Sequence, residues 1–324
     1  MKLQAFEIIL RKLGTSAIDK NIPNTKQHEV FISFKGLGGN QIMNSPFEIH
    51  LNARTYMVID SASGRYLGGF GSNAQRSWVF PFYTPSGHTV IQEYAFDHPF
   101  HNGFFVGQSP VIVGGREGQF WHYAGFKPRP LGGRVEAPKT PDIEPHEHGI
   151  RFQLKNVWLD ENEEPLVDEV RTVNFRKSPD ATICDMTSEK IATYGAVEYL
   201  QTKFGSIGIR VEPRLLPVTG GIVLADNNRV GGVEVVHEGE SDFVAYENDL
   251  SGHGRFGVRM HSLNEGVSGP WFIRGYGMAL FNPTWTQSIS TPEGKSWKVS
   301  LRVVAYDGRL TEERAQNWIK VQSD

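Results

Sequence analysis

The 324-residue chain has a single cysteine, Cys184, and so cannot close an intrachain disulfide. That suits a reducing compartment, and a lone thiol in the strand-like ATICDMT segment reads as buried and inert. No window approaches the roughly twenty apolar residues of a membrane-spanning helix, so no membrane partner is expected. The N-terminal MKLQAFEIILRKLG is interrupted by Glu7 and Arg11 and followed by no small-residue cleavage site, which reads as mature protein. With no export or membrane signal, the expected location is the cytoplasm. Excess positive charge is missing as well: a net charge of −3 offers no basic field for phosphate backbones, so nucleic acid is not an expected partner.

Several catalytic motifs are also missing. There is no GxSxG nucleophile elbow, no phosphate-cradling GxxxxGK followed by Ser or Thr, and no HExxH zinc helix. The stretch GHGRFG at 252–257 fits GxGxxG literally, but no helix follows it, so a hairpin turn is the reading. Long helical stripes are scarce. Instead there are 35 glycines, 18 prolines and 11% aromatic residues around short apolar runs, a composition that points to a turn-rich all-β protein.

The pass along the chain predicts a single domain over 1–324, built as one large antiparallel two-sheet sandwich with a barrel as the second choice. Residues 1–53 supply outer strands around AFEIIL and VFISF and the glycine loop KGLGGNQ. Strands are expected at TYMVID, SWVFPFYTP and HTVIQEYAF, with Pro81 demanding an edge or a bulge in the second of these. Residues 124–149 read as the longest irregular segment, a candidate binding loop ending in the solvated run EPHEHG. Beyond it, strands recur through LVDEVRTVNF, GGVEVVH, PWFIRGYGMALF and SWKVSLRVVAY, the last alternating as a half-buried strand. The closing residues 309–324 form a short helix with Thr311 as N-cap and Ala315, Trp318 and Ile319 as its apolar stripe.

Chemistry concentrates in residues 93–122. Here the polar knot Asp97-His98-Pro99-Phe100-His101-Asn102-Gly103 lies between two apolar runs and holds two of the eleven histidines, with His122 close behind. Imidazole titrates near neutrality and a neighbouring carboxylate can fix its tautomer, which makes His98 and His101, beside Asp97, candidates for acid and base work. The same groups would also satisfy a tight turn. A divalent metal is the other reading, with His98, His101 and His122 as candidate ligands, although the spacing matches no dedicated metal signature; no other cofactor is expected.

In LVDEVRTVNF the alternation of a strand places Val167, Glu169, Arg171, Val173 and Phe175 on one face. Charges there are costly unless paired, which leaves a buried ion pair or a cavity. Lys203 and Arg210, flanking FGSIG, could offer positive charge to an oxyanion or to sugar hydroxyls. Trp271, Phe272, Tyr276 and Phe281 read as core aromatics, although a ring against a sugar face fits as well.

Four ordered blocks together resemble the PmoA-like family of bacterial proteins: FPFYTPSGHTVIQEYAFDHPFHNGFFVG with GQFW, VDEVRTVNF, TKFGSIGIRV, and PWFIRGYGMALFNP with LRVVAYDG. They span about residues 54–308. Phe100, Asn102 and Phe204 stand where that family usually has histidine, arginine and glutamate, whereas His98, His101, Glu169, Arg171, Lys203 and Arg210 carry over. The resemblance implies a large β-sandwich of the galactose-mutarotase type and a carbohydrate context. With the residues, it gives an expected sugar-processing enzyme, an epimerase, lyase or hydrolase. His98, His101, Glu169 and Lys203 are its candidate catalytic groups, and Asp97, Arg171, Arg210, Trp271 and Arg274 its candidate substrate contacts. The alternatives are a non-catalytic carbohydrate- or partner-binding sandwich and a metal-dependent lyase or oxygenase. A small sugar is the expected partner, and oligomerisation stays open.

Overall fold

The computed structural model describes residues 6–11, 30–36, 46–122, 132–138, 140–146 and 148–321. Every strand pairing among them is antiparallel. The first sheet has ten strands. It starts with the hairpin Phe6–Arg11 and Val30–Gly36 at its edge, runs through Ser77–Phe82 and Phe104–Gln108 to Gly205–Arg210, and ends on Met278–Phe281 and Trp271–Ile273. The second also has ten strands and centres on Pro165–Ser178, Ala181–Ile191 and Ser296–Asp307. A four-stranded sheet carries Val111–Val113 and Val197–Tyr199.

The all-β expectation therefore holds, with one short α-helix among the described residues, at Glu312–Lys320. A single apolar cluster runs between the large sheets and takes Phe70, Val106, Ile207 and Trp271 from the first and Phe152, Phe175, Met186 and Leu301 from the second. Each such side chain, fully buried, contributes roughly 1.5–3 kcal/mol. Alternation then assigns the opposite face of the first sheet to a second cluster, Trp78, Phe105, Phe272, Met278 and Leu280, with Phe100 and Trp121 above it.

Local departures from the sequence reading have physical reasons. Pro81 lies beside a bulge in an interior strand, where the register shifts between Gly68 and Phe70. HTVIQEYAF is not a regular strand; isolated bridges at Thr89 and Ile91 tie it to Tyr83 and Val211. The 124–149 segment is less irregular than expected, because Arg134–Glu136 and Asp142–His146 both pair with Gly149–Leu159. His146 is accordingly half-buried and contacts Asn174 through Nε2 at 2.9 Å. Val233–Val235 forms a 3-10 turn where GGVEVVH suggested a strand. The hairpin turn at GHGRFG is present, joining Val244–Leu250 to Gly254–Ser262. The glycine loop KGLGGNQ falls largely outside the described residues.

Ser296–Asp307 is buried on both faces from Val299 onward, not half-buried, because the C-terminal helix covers it. Thr311 caps that helix by accepting from the Arg314 amide at 3.3 Å, and Trp318 is buried against Tyr306, whereas Ile319 is exposed. Arg302, on the covered face, donates to the Trp318 and Val321 carbonyls at 2.7 and 2.8 Å and to both oxygens of Asp185. It thus satisfies orphan carbonyls at the helix end while its charge is neutralised.

Between the sheets sits a buried ionic group. Arg171 donates to Glu169 through Nε and Nη2 at 2.8 and 2.9 Å, and both side chains are fully buried. Trp158 and Asn156 donate to the same carboxylate at 2.8 and 3.0 Å, as does Ser188. Burial alone would raise the Glu169 carboxyl, but the Arg171 and Lys190 charges and these hydrogen bonds hold it well below the usual range. The Lys190 amine lies over Trp297 at 4.4 Å, with no hydrogen-bond partner among the described residues, and burial pushes it down to about 7. Arg171→Met leaves Glu169 buried without its nearest cation. Urea unfolding at neutral pH is expected to reveal a loss of about 3–5 kcal/mol, and an unchanged midpoint would contradict this account of the core.

Candidate functional site

The knot residues lie on the outer face of the first sheet. Successive tight turns form them, with the His98 amide donating to the Ala95 carbonyl at 3.0 Å and the His101 amide to the His98 carbonyl at 2.9 Å. Gly103 ends the knot at φ +55, where an added Cβ would stand 2.2 Å from the Val79 carbonyl oxygen, so only glycine fits. Its carbonyl accepts from the Arg210 amide at 2.8 Å, which fixes the knot to strand Gly205–Arg210. Arg76, from a loop that sequence patterning did not single out, donates to the Trp121 and Phe100 carbonyls at 2.7 and 3.4 Å.

Above this floor is a cavity of about 240 Å³, lined by His98, Phe100, His101, Trp121, His122, Lys203, Phe204, Phe272, Arg274, Tyr276 and Met278. It brings together residues from four neighbouring strands and their loops. A cavity of about 370 Å³ elsewhere is larger but holds no imidazole, and its Lys177 is closed on Asp60. Chemistry, rather than size, selects the smaller one.

Arg210 organises the charges. Its Nη2 donates to Asp97 Oδ1 at 2.7 Å, its Nη1 approaches His101 Nδ1 at 3.4 Å, and its guanidinium lies 4.8 Å from the centre of the Tyr276 ring. The other Asp97 oxygen meets His98 Nδ1 at 2.7 Å. Partial burial would raise the Asp97 carboxyl, but the His98 and Arg210 hydrogen bonds and the Arg210 charge outweigh it and hold the group below its ordinary value. An ionised Asp97 fixes the proton of His98 on Nδ1 and leaves Nε2 as an acceptor. That nitrogen makes no protein hydrogen bond among the described residues.

His98, His101 and Tyr276 are near-parallel rings, with centroids 4.7 Å apart for the two histidines and 4.8 Å for His98 and Tyr276. The two imidazoles differ electrically. Burial, then the nearby His98, Arg210 and Arg76 charges, push His101 down to about 2, so it is neutral across the physiological range. The Arg210 contact at Nδ1 turns that nitrogen into the acceptor and places the His101 proton on Nε2. Tyr276 is half-exposed rather than core, and its hydroxyl is raised by burial and stays protonated.

The remaining expected residues are placed as follows. Lys203 and Arg274 line the cleft. Trp271 faces the inner core, donating to the Ser241 carbonyl at 2.8 Å, while its neighbour Phe272 faces the cleft. Glu169 and Arg171 lie between the sheets and do not line it. Among the described residues no group of three or more His, Cys, Asp and Glu could hold a metal ion. Phe100 stands among the three candidate ligands, with its ring centre 5.6, 4.8 and 4.5 Å from those of His98, His101 and His122.

The chain belongs to the family of unknown function DUF6807. The family model matches residues 61–320, which leaves out the first four strands of the ten-stranded first sheet, and its function is unknown. The PmoA-like label thus stays a resemblance of motifs. No curated protein matches. Among solved structures, the chain is similar to heparan sulfate lyase HepC (a mutant) from Pedobacter heparinus, at 10% identity and TM-score 0.32, covering 87% of this chain and 36% of that one. It is also similar to a galactose mutarotase related enzyme from Lactobacillus acidophilus, at 10% identity and TM-score 0.31, covering 82% of this chain and 100% of that one. A putative aldose 1-epimerase from Escherichia coli K12 matches at 10% identity and TM-score 0.33, covering 81% and 97%. Of the described helices of this DUF6807 chain, none is long and apolar enough to cross a membrane.

The neutral state of His101 gives the fold an acid dependence. In the unfolded chain this imidazole takes a proton below its ordinary 6.5, whereas the folded site refuses one until about 2. The stability it lends is full above the unfolded value and is lost as pH falls from there toward the folded one. His101→Leu removes that linkage. Between pH 7 and 5 its unfolding free energy is expected to fall by about 2 kcal/mol less than that of the parent. Parallel pH slopes in urea titrations would contradict the assignment.

Proposed function

We propose that the cleft is a carbohydrate-processing active site in which His98 moves a proton on a sugar or keto-sugar substrate. The observation that carries this reading is the Asp97–His98 pair at 2.7 Å, while the second His98 nitrogen, in a walled cleft, makes no hydrogen bond among the described residues. Aromatic rings at Phe204, Phe272 and Tyr276 fit the apolar faces of a sugar ring, and cations and N–H groups fit its oxygens.

The residues suit removal of a proton from a carbon next to a carbonyl. His98 Nε2 accepts the proton, the C–H electron pair moves into the carbonyl, and the oxygen gains a negative charge that Lys203 and Arg274 face. His101, held neutral, acts as a hydrogen-bond donor rather than a proton carrier. Delivery of a proton from water to the opposite face gives epimerisation, and departure of a leaving group with its bonding pair from the next carbon gives elimination. Both pass through the same enolate.

Glu169 and Arg171 serve the core in this reading, and Arg210 positions Asp97. A panel of sugars and keto sugars incubated with the protein in heavy water, followed by proton NMR, tests it. The parent exchanges a carbon-bound proton of its substrate for deuterium, and His98→Gln lowers that rate by about 100- to 10,000-fold with the fold intact by circular dichroism. Exchange at the parental rate in His98→Gln would remove His98 from the chemistry.

A further inference from the structure

The cleft is electrically one-sided. Two cations, Lys203 and Arg274, line it, and among the described residues no aspartate or glutamate does. The acids nearby are committed elsewhere. Asp97 is held by Arg210 and His98, each at 2.7 Å. Glu93 accepts from the Trp78 indole at 2.6 Å, and burial raises its carboxyl. Glu238 is exposed and pairs with His237 at 3.1 Å. Neither Lys203 nor Arg274 forms an ion pair among the described residues.

Both cations are aimed rather than loose. The Lys203 amine lies 5.3 Å from the Phe204 ring centre and the Arg274 guanidinium 4.7 Å from that of Phe272, so the two heads rest on the aromatic walls. Their loops are pinned. The Asn282 amide group donates to the Thr202 carbonyl at 2.8 Å, and the Arg274 amide donates to the Met278 carbonyl at 2.8 Å, closing a tight turn. Among the described residues the Arg274 side chain hydrogen-bonds with His237 Nε2, at 3.3 Å.

We infer that the ligand of this cleft carries a carboxylate: it is a uronic acid or a similar sugar acid, bound through Lys203 and Arg274. The inference rests on the cleft being the sugar site proposed above, and it names the substrate class. A neutral sugar would leave two cations without counter-charge against apolar rings, whereas a carboxylate matches the fork of an arginine and the point charge of a lysine. Size limits the ligand too. At about 240 Å³ the cavity lies under the 300–1,000 Å³ range of drug-sized sites, which fits one sugar ring rather than a chain. A carboxylate also brings its own acidic carbon. In a uronate the C5 proton is next to the carboxyl group, so His98 can take it while the two cations neutralise the charge gathering on the carboxylate oxygens.

Glucuronate and galacturonate, compared with glucose and galactose at constant ionic strength, provide the test by calorimetric titration and thermal shift. The uronates are expected to bind at least about tenfold more tightly than the neutral sugars, and Lys203→Gln with Arg274→Gln is expected to abolish that preference. Equal binding of acid and neutral sugars, no binding of either uronate at millimolar concentration, or an undiminished preference in the double variant would each overturn the inference. Deuterium exchange is read separately on the same samples. A uronate preference without His98-dependent exchange keeps the charge assignment and removes the catalytic reading. His98-dependent exchange on neutral sugars without any preference does the reverse.

Discussion

Arg210 is the charge on which the cleft depends. It is almost wholly buried on the outer face of the first sheet, and a buried guanidinium must be paired. Asp97 supplies the pair, and in doing so becomes an ionised acceptor that can set only one tautomer of His98. The same cation, beside His101, discourages a second positive charge there. One arginine therefore divides two adjacent imidazoles into a potential base and a neutral donor. It does so without touching the open part of the cleft.

Strand parity separates the charges of the cleft from the ionic group between the sheets. Ile207 and Ile209 point into the core while Arg210 points out, and Trp271 points in while Phe272 points out. On the opposing sheet, Glu169 and Arg171 share an inward face, so they meet each other and Lys190 rather than the knot. The Glu169 carboxylate is saturated by Arg171, Trp158, Asn156 and Ser188, an arrangement that favours a fixed core over chemistry. In the cleft the balance is opposite, since among the described residues Lys203 and Arg274 have no carboxylate partner.

Much of this was legible in the residues. Alternation in LVDEVRTVNF placed Glu169 and Arg171 side by side on a buried face, and the density of polar groups in 97–103 located the cleft. Thr311 and the turn at GHGRFG followed from local chemistry alone. What stayed hidden depends on distant contacts. Trp271 and Phe272 differ by one position, and only the covering sheet decides which of them is core. Tyr276 read as core because it follows apolar residues, yet the flanking Gly275 and Gly277 mark a hairpin tip and were the available signal. Arg76 had no signal, because its role is to bind carbonyls more than twenty residues away. The neutral state of His101 comes from burial and from Arg210, which is 109 positions distant. Ser296–Asp307 kept its alternation, but the helix that follows it, Glu312–Lys320, folds back over its second face, and alternation within a strand carries no sign of that cover.

Phe100 determines how the histidines can be used. Arg76 holds its carbonyl and the aromatic cluster holds its ring, so its position follows from the fold rather than from rotamer choice. The ring touches His98, His101 and His122 edge-on and fills the space that the three border. Beside it, Phe204 packs on both Trp121 and His122. Two apolar rings therefore stand where a shared polar centre would need donors or acceptors. With one nitrogen of His98 engaged by Asp97 and one of His101 facing Arg210, the imidazoles present single remaining nitrogens rather than a joint ligand set. In the proposed reaction such an arrangement suits proton transfer and hydrogen bonding by individual rings, with charge on the ligand left to Lys203 and Arg274.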